Sequence, residues 1–157
     1  MRVAAGAFGP RQPRRDLWLS PDHAIFVNNV LVPVGLLING TSIARMITNR
    51  VTYFHVELPR HEIIVAEGLP VESYLDVGDR SNFDRNGAAI RLFPNFASGL
   101  APATALIWEA HGAAPLVMAG EALAAARQEV MKHKGASFRR GDADRAGPAF
   151  SRIGTAR

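Results

Sequence analysis

The chain has 157 residues, 48% hydrophobic and 20% charged, the composition of one globular domain with a single core. It contains no cysteine, which excludes disulfides, thiolate metal sites and a cysteine nucleophile among these residues. The formal charge of +4 sits at the ends: between residues 16 and 131 seven arginines meet twelve acidic side chains, so the body offers no basic groove to phosphates.

No nucleic-acid partner is therefore expected, and no motif of an RNA- or DNA-binding module is present. No apolar run approaches the roughly 20 residues that span a bilayer, and Met1-Arg2-Val3-Ala4-Ala5-Gly6 does not lead into the apolar stretch of a signal peptide. The compartment stays open.

From Leu17 to about Tyr74 the chain reads as β structure: short runs rich in Val and Ile separated by turn residues. The runs are Ala24–Val27, Val30–Val34, Ser42–Thr48, Val51–Leu58, Glu62–Ala66 and Leu69–Tyr74. Asn28-Asn29 predicts a two-residue hairpin turn because Asn tolerates positive φ; Asn39-Gly40 is a second turn signal, and Glu67-Gly68 a further breaker. Leu36-Leu37-Ile38 fits either a strand end or one helical turn. Residues 76–104 read as irregular, with Phe83, Ile90, Leu92, Phe93 and Phe96 pinning them to the body. Gly120–Lys132 predicts a helix with Ala122, Leu123, Ala126, Val130 and Met131 on one stripe and Gly135 as terminator. The remainder, poor in large apolar side chains, reads as a disordered basic tail.

Chemistry concentrates in Leu17-Trp18-Leu19-Ser20-Pro21-Asp22-His23-Ala24, which sets a histidine three residues after a hydroxyl and at the start of an apolar run. An imidazole titrates near neutrality and can move a proton at a reacting amide, while a hydroxyl can orient it. The plainer readings are a strand-start histidine satisfied by a carbonyl and a Ser20 that caps the Pro21-Asp22 turn. His55 and His61 match no metal spacing, and His61-Glu62-Ile63-Ile64-Val65 lacks the second histidine of a zinc helix, so neither metal nor cofactor is expected. Asp76, Asp79 and Asp84 near Gly78 do not fit a calcium loop and read as a solvated turn. Gly68–Ser73 is no nucleophile elbow, so a serine hydrolase is not indicated.

Four pieces occur in order: Pro13-Arg14-Arg15-Asp16-Leu17-Trp18-Leu19-Ser20-Pro21-Asp22-His23-Ala24, Leu37-Ile38-Asn39-Gly40-Thr41-Ser42-Ile43, Tyr53-Phe54-His55-Val56-Glu57-Leu58-Pro59-Arg60-His61, and Ala66-Glu67-Gly68-Leu69-Pro70-Val71-Glu72-Ser73-Tyr74-Leu75-Asp76. Over roughly residues 5–85 they resemble the later half of a bacterial Hint domain, the self-processing fold of hedgehog C-terminal domains and inteins. The resemblance implies a mainly β horseshoe that attacks its own backbone. In that family a leading Cys or Ser attacks the preceding carbonyl, and a Thr-x-x-His motif activates the scissile peptide. By position Ser20 is similar to the Thr and His23 to the His. His61 is similar to a helpful histidine before the last strand, and Ser73 stands near where inteins end in His-Asn.

Since Met1 aligns with the interior of the pattern, the first strands and the nucleophile are expected to lie outside this chain. Glu72-Ser73 in place of His-Asn argues against splicing and for cleavage at one junction. The expected architecture is thus mainly β, a Hint-type horseshoe lacking its first strands, with one C-terminal α-helix. Its divisions are residues 1–100 (β domain), 101–134 (helix-bearing extension) and 135–157 (tail). The implied function is autocatalytic peptide-bond cleavage with the upstream polypeptide as self-substrate, the chain being inactive alone. A non-catalytic structural or interaction module is the alternative.

Overall fold

The structure is a computed structural model that describes residues 1–47, 54–77, 102–133 and 153–155. Two antiparallel sheets form its body. The smaller is built from β1 (Arg2–Val3), β2 (Leu17–Trp18) and β5 (Ile43–Ala44), with β1 central and Val3 opposite both Leu17 and Ile43. The larger contains β3 (Ala24–Val27), β4 (Val30–Pro33), β6 (Ile63–Ala66), β7 (Leu69–Glu72) and β8 (Ile153–Thr155), in the order β4-β3-β7-β6-β8.

Two tight hairpins set the register of that sheet. Asn28 and Asn29 both have positive φ, 51° and 63°, as a two-residue turn matched to strand twist requires, and Val27 pairs with Val30. Glu67 and Gly68, at 52° and 87°, repeat the solution between Ala66 and Leu69. Both turns fall where the breakers predicted them. The second is pressed against the 11–15 loop: the Arg14 N–H donates to the Glu67 carbonyl at 2.7 Å, and Arg15 Nη2 donates to Glu67 Oε1 at 2.7 Å. The Pro13-Arg14-Arg15-Asp16 motif therefore serves as a clamp. Its last residue also anchors β1, because Asp16 accepts from the buried Arg2 Nε at 2.7 Å and from the Ala5 N–H at 2.8 Å.

Between β4 and β5, Val34–Leu37 form one 3-10 turn, which settles the ambiguity of that stretch. The Asn39 side chain then closes the Asn39-Gly40 turn by accepting from the N–H groups of Thr41, Ser42 and Ile43. In the described part of the predicted run Ser42–Thr48 only Ile43–Ala44 pair as a strand, and the described part of Val51–Leu58 contributes a single bridge, Glu57 to Tyr74.

Helix α2 (Gly120–Lys132) lies where the period predicts it, but its buried stripe is narrower: Leu123, Ala126 and Val130 join the core, while Ala122 and Met131 are exposed. Arg127 Nε donates to the Leu36 carbonyl at 2.9 Å, tying the helix to the 3-10 turn. The extension thus shares one core with Val3, Leu17, Ile25 and Ile64.

A second helix, α1 (Pro102–His111), occupies residues for which the sequence offered no helical period. Thr104, Ile107 and Trp108 are half-buried, whereas Leu106 is exposed and breaks the apolar stripe. No described helix is long and apolar enough to cross a membrane. Within the tail, Ile153–Thr155 pair with Ile64–Ala66 and so cover the outer edge of β6. The other tail residues, Gly135, and the aromatic pins of 83–96 lie outside the described residues.

Gly68 combines positive φ with a crowded site, since an added Cβ would stand 2.6 Å from the Arg11 carbonyl oxygen. Gly40 has φ +73° and nothing within 4 Å of such a Cβ. Gly40→Ala is expected to cost about 1 kcal/mol of left-handed strain, and Gly68→Ala about 2 to 3 kcal/mol because the clash adds to it. Urea unfolding midpoints of the two variants at unchanged m-value check the order.

Candidate functional site

The site grows out of the β3–β7 pairing. Its register sets Ile25 opposite Val71, which brings Glu72 across from Ala24 and beside His23. The Ser20 carbonyl accepts the His23 N–H at 3.2 Å, and the His23 carbonyl accepts the Val34 N–H at 3.0 Å, so the histidine backbone is fixed on both sides. With both backbone groups engaged, His23 is 8% exposed as a residue and its Nε2 has no hydrogen-bond partner among the described residues. The plainer expectation, a ring satisfied by a carbonyl, is not met at that nitrogen. A buried polar atom without a partner costs stability, and such atoms concentrate where a reacting group is to be received.

Glu72 organises the surroundings. One carboxylate oxygen accepts the Ala24 N–H at 2.6 Å, and the other lies 3.6 Å from His61 Nε2, beyond a direct hydrogen bond but within electrostatic reach. His61 is itself buried; its Nδ1 accepts the Ala113 N–H at 3.0 Å, and its ring meets Trp108 edge-on at 4.9 Å. His55 is exposed as a residue, yet its ring stands 6.3 Å from that of His23 and 5.3 Å from Tyr74.

Of the four residues singled out by sequence, the structure gathers His23 and His61 around Glu72. Ser20 closes the turn before His23 with its carbonyl, its side chain half-buried. Ser73 is 1% exposed and follows Glu72 on the strand, so alternation turns it to the other side. There its Oγ accepts the Glu62 N–H at 2.9 Å and its own N–H donates to the Glu62 carbonyl at 2.8 Å. That pair of contacts locks β6 to β7. Glu72, Asp22 and His55 were missed as site residues. The available signal was Glu72 itself, a carboxylate at an inner position of a predicted strand. Among the described residues no group of three His, Cys, Asp or Glu side chains is arranged to hold a metal.

Burial sets the electrostatics. It lowers the His23 pKa from 6.5, an effect that Glu72 opposes and that His55 and His61 reinforce. It raises Asp22 from 3.8 to about 6, with the Glu72 charge adding in the same direction.

A family model described as a Hint domain matches residues 1–78. Residues 1–78 are a Hint domain. The match contains the whole of His23, His55, His61 and Glu72, and the two-sheet, mainly β body agrees with a Hint-type fold. No curated protein and no solved structure matches the chain. Helices α1 and α2 lie beyond the matched Hint residues, so the Trp108 and Ala113 contacts to His61 come from outside the family pattern.

Asp22 and His23 act oppositely on stability. Asp22 binds its proton more tightly when folded, so its contribution is present below pH 3.8 and is lost as pH rises through about 6. His23 holds its proton less tightly when folded, so its contribution is present above pH 6.5 and is lost as pH falls toward its lowered pKa. Asp22→Asn is therefore expected to gain thermal stability over the parent at pH 7 and to lose most of that gain at pH 4. Melting temperatures of both proteins at the two pH values check it; an advantage equal at both would contradict the assignment.

Proposed function

We propose that this Hint domain supports autocatalytic cleavage of a peptide bond by an N-to-S or N-to-O acyl shift, as hedgehog and intein domains do. The nucleophile, a Cys or Ser side chain, belongs to polypeptide joined ahead of residue 1. The observation that carries the reading is the buried, partnerless Nε2 of His23 within a Hint domain.

The chemistry follows from that nitrogen. Lowered pKa keeps the ring neutral at pH 7, able to accept the thiol or hydroxyl proton as the nucleophile attacks the preceding carbonyl carbon. The new C–S or C–O bond forms as the C–N bond breaks, and the imidazolium returns the proton to the departing nitrogen. The product is a thioester or ester with a free amine, open to an external thiol or hydroxylamine. Glu72 favours the transient imidazolium by its charge, and His61 supports Glu72. Ser20 is the orienting hydroxyl of the pair. Ser73, locked to Glu62, serves the frame that holds Glu72 in place.

The alternative, a non-catalytic interaction module, draws support from the absence of cysteine in all 157 residues. Expression of the chain with its native in-frame upstream sequence separates the two. Hydroxylamine or a thiol is expected to release a fragment ending at one junction, and His23→Ala to slow release by about 100-fold or more. Absence of cleavage in the parent, or cleavage undiminished in His23→Ala, establishes the non-catalytic reading instead.

A further inference from the structure

The contacts to His61 from beyond the Hint-matched residues form a connected piece. Helix α1 ends where the Gly112 N–H donates to the Trp108 carbonyl at 2.8 Å. The chain then runs alongside β4: the Leu31 N–H donates to the Pro115 carbonyl at 2.9 Å, and the Val117 N–H donates to the Leu31 carbonyl at 2.8 Å. Both backbone groups of Leu31 are thereby used, with Leu31 and Leu116 bridged in parallel. This anchorage is made without His61, so it fixes the position of the Ala113 N–H independently of the ring that the N–H meets.

An N–H donor 3.0 Å from Nδ1 requires a lone pair there. The ring proton of a neutral His61 must then reside on Nε2, the nitrogen facing Glu72 at 3.6 Å. Trp108 packs edge-on against the ring at 89°, and the His61 side chain is fully buried. Glu72 in turn holds the Ala24 N–H, the backbone group next to His23. Ala113 is thus hydrogen-bonded to His61, His61 Nε2 faces Glu72 across 3.6 Å without a hydrogen bond, and Glu72 accepts from Ala24, the residue that follows His23.

We propose that Trp108–Val117 is a positioning arm of the Hint site: its Ala113 N–H selects the Nε2–H tautomer of His61, which aims that proton at Glu72 and so sets the environment of His23. The consequence for cleavage rests on the self-processing reading above; the tautomer does not. Ala113, Trp108 and His61 are positioning residues, since each acts on His23 through Glu72.

The test uses the full chain with 15N-labelled backbone and histidines. The five histidines are resolved by long-range proton–nitrogen correlation, with His61 and His23 assigned by substitution. Expected are a single Nε2–H tautomer at His61 and a nitrogen–nitrogen coupling across the hydrogen bond from the Ala113 amide to His61 Nδ1. Ala113→Pro, which lacks the donor, should mix the tautomers, whereas Ala113→Gly, which keeps it, should not. The charged and titratable groups acting on His23 are Glu72, His55 and His61, with Asp22 adjacent in sequence. Glu72→Gln should lower the His23 titration midpoint, and Ala113→Pro should lower it by a smaller amount.

An Nδ1–H or mixed tautomer in the parent, or no coupling to Ala113, overturns the proposal even if Ala113→Pro fails to fold. A His23 midpoint unmoved while the His61 tautomer changes overturns the relay to His23. None of these readouts involves cleavage, so the arm and the self-processing reading fail separately.

Discussion

The Glu72 carboxylate is the contact on which the site turns. One oxygen replaces a backbone acceptor for Ala24, and the other faces a buried imidazole, so a single charged side chain joins β7 to the start of β3 and to His61. An anion placed this deep is tolerable only with donors aimed at it, and the β3–β7 register provides the first of them. The same charge acts on both neighbours in the Ser20-Pro21-Asp22-His23 turn, opposing deprotonation of His23 and of Asp22. Chemistry and register are thus one constraint, because a one-residue slip would exchange Glu72 for Ser73 and reverse their faces.

The matched Hint residues do not complete this arrangement by themselves. Leu123, Ala126 and Val130 of α2 lie in the same core as the strands, and the segment after α1 occupies the outer edge of β4. Covering that edge removes a row of open backbone groups. It also carries Trp108 and Ala113 to His61, so structural cover and ring placement come from the same stretch.

Much of the β framework was legible because its signals are local. Asn28, Asn29 and Gly68 permit positive φ at positions where two-residue hairpins need it, and the apolar runs beside them have strand length. His23 and His61 were singled out by motif resemblance, and the fold sets both near Glu72. Glu72 was passed over: a carboxylate within a predicted strand was the signal, but nothing local marks what lies across the register. Helix α1 escaped because Leu106 faces outward and the residues that do turn inward, Thr104, Ile107 and Trp108, are of mixed polarity. His55 escaped because its part in the site depends on Tyr74 and His23, distant in sequence.

What the sequence by itself determined are the turns, the principal strands of the larger sheet, the position of α2 and the Hint family. These rest on backbone preference, periodicity and ordered motifs, all readable over short spans. Tertiary structure alone decided which side chains meet: Glu72 with Ala24 and His61, His55 with His23, and Ala113 with His61. The physical reason is burial. A histidine loses its ordinary pKa and an amide selects a tautomer only when packing removes water and leaves a small set of directed partners.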